Sequence, residues 1–386
     1  MTRILFYVQH LMGVGHVFRA MRIVKALTAA GMEVDLVYGG EPIPNFQDNG
    51  ARVHFLPPVR AVGEAFNKLE DPTGTPLTED YKNRRRDMLL AILADTRPDV
   101  VVTEAFPFGR RQMRFELLPF LEAARQMKAR PVVVSSVRDI LQETGKAQKD
   151  RETIGYIRSL FDHVLVHGDS RLVRLERTFP MADEIADKVL YTGIVAPDQL
   201  ASTTADEAYD VVVSVGGGAL GRKLVMAAAA AKDLSILRDA RWCFITGLRF
   251  SGQDEKELRG LVSGDVVLRS FLPDLPSVLA RARLSISRAG YNTVADLCKA
   301  GCRAIVVPLS DGIETEQIRR AEMLGASGLA ETLSHDRETP EEIAAAIGRV
   351  MARPVPDRSQ IDLGGAEKTA LLLADLVAGR SVANYR

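Results

Sequence analysis

The stretch LSISRAGYNTVADLCKAGCRAIVVPLSDGIETEQIRRAEML, Leu284 to Leu324, decides how this chain is read. It opens on Leu284-Ser-Ile-Ser287, an alternating run that predicts a short strand. A glycine turn at Gly290 follows, and Thr293-Val-Ala-Asp296 has the spacing of a capping box, which predicts a helix start there. Gly301 stands at the expected end of that helix, where a left-handed residue without a Cβ is favoured. Ala304 to Leu309 is almost wholly apolar, the pattern of a strand buried on both faces. A polar loop, Ser310 to Thr315, leads into a second helix near Glu316. The order is strand, helix, strand, helix, and its polar residues gather where strands end and helices begin. In open α/β sheets ligands bind at that edge.

Ser287-Arg288-Ala289-Gly290, Thr293, Asp296, Gly301, Pro308 and Glu316-Gln317 resemble the donor-binding signature of the MurG-like UDP-N-acetylglucosamine transferases of peptidoglycan synthesis. The resemblance implies that Asp296 holds the ribose hydroxyls of a uridine diphosphate, one methylene shorter than the family's acidic residue. It implies that Glu316 and Gln317 contact the sugar, where the family has two glutamines. Gly290 and Thr293 belong to the same donor motif.

At 386 residues the chain makes two or three domains of about 150 residues, each able to bury its own core. Hydrophobic residues at 46% and charged residues at 26% describe an ordinary globular protein. Fifty acidic side chains balance fifty basic ones, so bulk charge points neither to nucleic acid nor to an anionic membrane. No apolar run approaches the roughly 18 residues of a spanning helix. The N-terminus enters a strand directly, without a signal-peptide pattern, so the expected compartment is the cytoplasm. Cys243, Cys298 and Cys302 lack C-x-x-C spacing and read as buried thiols. The spacing of Cys298 and Cys302 across a helix end leaves a bridge or metal as the alternative.

From the N-terminus, Arg3 to Val8 reads as a strand, and the loop Gln9 to His16 carries Gly13, Gly15 and His16 before a helix from about Val17 to Ala30. A glycine-rich turn between strand and helix can cradle an anion, because N–H groups at a helix start have no partners of their own. The transferase family has a G-x-G-H element in this place, and here its usual proline three residues after the histidine is Arg19. His16 is the candidate for the reacting centre, as a base or as a donor to phosphate, with a hydrogen bond to its own loop as the structural alternative. Arg19 reads as an anion contact or a surface ion pair. Strands follow at Glu33–Tyr38 and Val53–Leu56, and residues 57–78 read as a polar, irregular loop for acceptor recognition or a surface excursion. After a helix from Glu79 to Asp95 and a strand from Asp99 to Thr103, Glu104 stands at a strand end, where a carboxylate could deprotonate an acceptor hydroxyl. Phe106 and Phe108 alternate with Arg110, Arg111 and Arg114. These suit an anionic acceptor and a membrane surface, or else an amphipathic helix packed on the sheet. Further strands are expected at Pro131–Ser135 and Asp162–Val166, with a charged connector at Gln142–Arg151 and a helix at Glu152–Phe161.

The pattern then restarts. Asp210 to Val215 reads as a strand, and Gly216, Gly217 and Gly218 follow at the turn into an alanine-rich helix. Successive glycines let backbone N–H groups approach a diphosphate. The resemblance places the family's C-terminal glycine loop here, and it implies that the Phe271-Leu272 loop reads the uracil. An apolar turn under the sheet is the structural alternative for Phe271 and Leu272.

The expected fold is α/β: two Rossmann-like domains facing across a cleft, the GT-B architecture. The N-terminal acceptor domain is expected over 1–197 and the donor domain over 198–363, and 364–386 form a helix crossing back to the first domain. The resemblance implies a metal-independent hexosyltransferase that moves a sugar from a UDP-sugar, used as co-substrate with no other cofactor, to a hydroxyl acceptor. Backbone amides and Arg288 would carry the charge stabilisation. The acceptor would be a cell-envelope glycolipid, a polysaccharide precursor or a small molecule, with peripheral contact at the inner face of the membrane as an option. Competing readings are a UDP-sugar 2-epimerase, a nucleotide-sugar hydrolase, and a donor-binding subunit of a membrane transferase complex.

Overall fold

Runs of valine and isoleucine become the middle strands of two parallel sheets, buried on both faces because helices cover each side. A computed structural model describes the chain except residues 12–14, 44–45, 63–67, 199, 201–207, 217–220, 248–249 and 310–313. The chain divides into two units, Met1–Val195 with Gly364–Arg386, and Ala196–Leu363.

The first unit contains β1 (Arg3–Val8), β2 (Glu33–Tyr38), β3 (Arg52–Phe55), β4 (Arg60–Val62), β5 (Lys68–Glu70), β6 (Val100–Glu104), β7 (Val132–Arg138), β8 (His163–His167) and β9 (Val189–Tyr191). Its helices are α1 (Gly15–Ala29), α2 (Glu79–Thr96), α3 (Arg114–Gln126) and α4 (Ala147–Leu160). Seven strands form one sheet in the order β3-β2-β1-β6-β7-β8-β9, and each neighbouring pair is parallel. The stretch expected to be an irregular loop, 57–78, instead holds the antiparallel pair β4–β5 in its described part. The charged connector ends at Lys146, and α4 begins at Ala147, five residues before its expected start.

The second unit contains β10 (Val211–Ser214), β11 (Trp242–Ile245), β12 (Val266–Arg269), β13 (Leu284–Ser287), β14 (Arg303–Val306) and β15 (Glu331–Thr332). Its helices are α5 (Arg222–Leu234), α6 (Gly252–Leu261), α7 (Leu275–Arg281), α8 (Tyr291–Ala300), α9 (Glu316–Ala326) and α10 (Pro340–Met351). The sheet order is β12-β11-β10-β13-β14-β15, again parallel throughout. Both sheets thus turn back on themselves beside their first strand, the Rossmann order, which opens a switch point at the carboxyl edge. In the first unit that point lies between β1 and β6, and in the second between β10 and β13.

The last helix, α11 (Gly365–Val377), packs on α1 within the first unit. Gly365 makes this junction: its N–H donates to Ile194 O at 3.0 Å, and a Cβ there would sit 2.4 Å from Gly193 O.

Candidate active site

The carboxyl edge of the first sheet collects the charged groups. Gly15 is the first residue of α1 and His16 the second, so both stand where the N–H groups of a helix lack intrahelical partners. Gly13 lies outside the described residues. Glu104 ends β6 and is fully buried. His16 Nδ1 lies 2.8 Å from Glu104 Oε1, so the two candidate residues meet although 88 positions separate them. Arg19, one turn further along α1, forms an ion pair with the same carboxylate oxygen. It is a buried partner of Glu104 rather than the surface pair or anion contact expected of it. Ser136, opposite Glu104 in the β6–β7 register, donates from Oγ to Oε2 at 2.8 Å. A buried carboxylate is costly unless paired and hydrogen-bonded, and this one has both kinds of partner.

Burial pushes the His16 imidazole well below its ordinary 6.5, and the charges of Arg138, Arg110, Arg19 and His10 push it further. The ring is therefore neutral near pH 7. With Glu104 ion-paired and accepting, Nδ1 carries the proton, and Nε2 is left as a base.

The aromatic–arginine segment separates into different roles. Phe106 and Phe108 are buried in the core, with Phe106 against Tyr156 and Phe161 and Phe108 against Phe179. They touch no membrane surface, because their apolar area is already spent on packing. Arg111 and Arg114 turn to α4, donating to Thr153 Oγ1 at 2.8 Å and Glu152 Oε1 at 2.5 Å. Arg110 differs: its Nε donates to Gln9 O at 2.7 Å, and burial beside Arg138 lowers its guanidinium to about 10. Arg110 thus adds positive charge to the edge that holds His16.

A further tie beneath this edge had no signal in the sequence. Arg85 on α2 is wholly buried and donates to Glu116 of α3 through Nε and Nη2, each at 2.7 Å. It also reaches Gln9 Oε1 at 2.9 Å, Gly39 O at 3.2 Å and the carbonyl of Pro57. Tyr7 donates to Glu116 Oε1 at 2.6 Å. One guanidinium thereby fixes the segments that leave β1, β2 and β3.

In the second unit the candidate residues follow β10, β12 and β13 and begin α9. Gly216 has φ +72°, a conformation that favours glycine, so the turn after β10 requires it. Gly217 and Gly218 lie outside the described residues. Gly290 caps α8 in an extended conformation without a side-chain hydrogen bond, and the helix starts at Tyr291. Thr293 and Asp296 are therefore inside the helix and form no capping box there. Asp296 is buried in the second turn. Gly301 ends the helix at φ +76°, as its position suggested.

Arg288 is buried, and it donates to Glu338 Oε1 at 2.9 Å and Val307 O at 3.3 Å. The charge expected on a diphosphate is thus compensated inside the unit. Glu316 binds Arg320 Nη2 at 2.9 Å, and Arg320 Nη1 reaches Ala289 O at 2.9 Å, which ties the start of α9 to the loop after β13. Glu316 thus has an internal partner at the start of α9. Gln317 accepts from Leu309 N at 3.1 Å. Burial and then Glu316 raise the carboxyl pKa of Glu314, which accepts from Gln317 N at 3.1 Å. Phe271 is 47% exposed, whereas Leu272 is buried. The Phe271 ring is thus open to a ligand, whereas the Leu272 side chain packs inward.

Residues 211–360 match the family model described as the glycosyltransferase family 28 C-terminal domain. The chain is 31% identical over 222 residues to the UDP-N-acetylglucosamine--N-acetylmuramyl-(pentapeptide) pyrophosphoryl-undecaprenol N-acetylglucosamine transferase of Rhizobium johnstonii, covering 52% of this chain and 58% of that one. It is 27% identical over 214 residues to the enzyme of the same name from Hahella chejuensis, covering 54% and 58%. The chain thus spans a little over half the length of these curated relatives. The structure resembles Acinetobacter baumannii MurG with a TM-score of 0.63 at 17% identity, over 97% of this chain and 99% of that one. It resembles the glycosyltransferase SnogD of Streptomyces nogalater with a TM-score of 0.62 at 18% identity, over the same shares. The fold is that of the GT-B glycosyltransferases.

Proposed function

We propose that this chain, whose residues 211–360 carry the family 28 C-terminal domain, transfers a sugar from a UDP-sugar to a hydroxyl acceptor. The single observation that carries the reading is that family match, which includes the edge bearing Arg288, Asp296 and Gln317. It supports transfer over the epimerase reading.

In the second unit, Asp296 accepts hydrogen bonds from the ribose hydroxyls. The glycine turn that begins at Gly216 offers N–H groups to the diphosphate. Gln317 contacts the sugar, and Phe271 lies against the uracil. In the first unit, His16 Nε2 removes the proton of the acceptor hydroxyl. The acceptor oxygen bonds to the anomeric carbon, and the bond to the diphosphate breaks with its electron pair leaving on UDP. Glu104 holds the His16 ring and stabilises the imidazolium that forms. The UDP-sugar is a co-substrate, and no resident cofactor or metal is required. The acceptor is a cell-envelope glycolipid or polysaccharide precursor, which places the chain in the cytoplasm and at the inner face of the membrane.

The test is to incubate the protein with a panel of nucleotide sugars, with and without cell-envelope extract, and to follow free nucleotide. Release of UDP that depends on the extract supports transfer. Equal release without extract identifies a hydrolase and overturns the proposal.

A further inference from the structure

The buried polar residues continue behind Glu104. Ser136 Oγ, which donates to Glu104 Oε2, stands 2.9 Å from His167 Nε2. His167 Nδ1 in turn stands 2.8 Å from Thr192 Oγ1. Glu104, Ser136 and His167 lie on β6, β7 and β8, Thr192 directly follows β9, and all four are buried.

Proton counting assigns a direction to this row. A hydroxyl has one proton, and an ionised carboxylate only accepts. Glu104 is ion-paired with Arg19, so the Ser136 proton goes to Glu104. His167 Nε2 must then donate to Ser136 Oγ. Burial, followed by the Arg19 charge, holds the His167 imidazole well below its ordinary value. The ring is neutral, so its Nδ1 takes the Thr192 hydroxyl proton at 2.8 Å, in preference to Gly193 O, which lies 3.3 Å from the same oxygen. Every donor from Thr192 to Ser136 therefore points toward Oε2 of Glu104, while Nδ1–H of His16 reaches Oε1 from the other side.

We propose that Ser136, His167 and Thr192 are positioning residues that hold Glu104 as a fixed acceptor and so lock His16 in its Nδ1–H tautomer, with Nε2 bare. The proposal rests on the reading of His16 as the base. Without the Ser136 hydroxyl, Oε2 loses its donor and the carboxylate is less well stabilised as an anion. A hydrogen bond to the charged form lowers proton affinity, so its loss raises that of the Glu104–His16 pair. The other charged or titratable groups around His16 are Arg19 on α1, Arg110 after β6, Arg138 at the end of β7 and His10 after β1. Replacing Ser136 changes none of them.

The experiment uses the full chain with ring-15N-labelled histidine. The six histidine signals are followed by NMR across pH, and His16 and His167 are assigned by their loss in His16→Ala and His167→Gln. Near pH 7 the expected result is a neutral His16 protonated on Nδ1 and a neutral His167 protonated on Nε2. Ser136→Ala should raise the apparent pKa of His16 by about one pH unit and mix its tautomers. Ser136→Thr keeps the hydroxyl and should restore the wild-type titration. Should Ser136→Ala fail to fold, Ser136→Cys, a weaker donor of similar shape, must shift the titration in the same direction. An Nε2–H tautomer at His16 in the wild type, or a titration unmoved by these variants, overturns the proposal. The measurement needs no substrate, so the two readings fail separately. A chain with these tautomers and no sugar transfer overturns the proposed function alone. A chain whose transfer is lost in His16→Ala, with its titration unmoved in Ser136→Ala, overturns only the positioning role.

Discussion

In the proposed transfer His16 supplies the base and Asp296 the ribose contact. Because burial depresses His16, it stays a neutral base to lower pH than a free imidazole, and the acid limb of kcat/KM should fall below pH 6.5. The same depression has a stability consequence. Below the ordinary pKa of 6.5 the unfolded chain takes up protons at this site that the folded chain refuses. The contribution is therefore present above that pH and is lost as pH falls toward the folded value. His167 is depressed in the same sense and adds to the trend. Urea unfolding between pH 7 and 5 should show stability dropping with acid, with a shallower slope in His16→Ala; an equal slope would contradict the assignment. Asp296 had two sequence readings, a helix cap and a ribose ligand. Since α8 starts at Tyr291, the residue is in no position to cap it. Asp296→Asn should weaken UDP binding by about 10–150-fold, the equivalent of one charge-assisted hydrogen bond. The melting temperature without ligand should stay within a few degrees of wild type. Intact UDP affinity in calorimetry would remove Asp296 from the donor site.

At the scale of elements, the strands were legible because buried parallel strands leave continuous apolar runs, and Leu284–Ser287 begins and ends where its alternation suggested. Helix starts were less so. The capping-box spacing of Thr293 and Asp296 is a local signal, but the chain turns earlier, at the extended Gly290. The start of α4 was hidden because its first turn, Ala147-Gln-Lys-Asp150, is mostly polar and reads as connector. Nothing near Arg85 in sequence announces its partners, since Gln9, Gly39, Pro57 and Glu116 come from four separate segments. Its importance belongs to packing alone. Arg85→Met leaves Glu116 buried without its bidentate partner, and a broken buried pair costs about 3–5 kcal/mol. Urea denaturation should register that loss, and the backbone from Gln9 to His16 should exchange amide hydrogens faster. A variant as stable as wild type would show that the tie is dispensable.

For the whole molecule, two Rossmann-order sheets followed from the repeated strand-and-helix succession, and much of the second unit's proposed donor edge lay within the stretch from Leu284 to Leu324. The first unit's site is of another kind. His16, Glu104, Ser136 and His167 meet only because parallel pairing brings the ends of β6, β7 and β8 beside the start of α1, and single-sequence patterns do not encode that pairing. If the donor edge recognises uridine, UDP should protect the protein from heat more than ADP or GDP does. At about 100 times its dissociation constant a ligand adds ~2.7 kcal/mol, a shift of a few degrees. Equal shifts with all three would contradict uridine selectivity. The central claim, sugar transfer with His16 as base, is tested most directly by following a labelled sugar from its UDP donor into envelope extract, with wild type and His16→Ala side by side. The account predicts label in the extract with wild type and about 100-fold less with a variant that still binds UDP as tightly. Equal labelling by the two proteins, or label released only as free sugar, would contradict it.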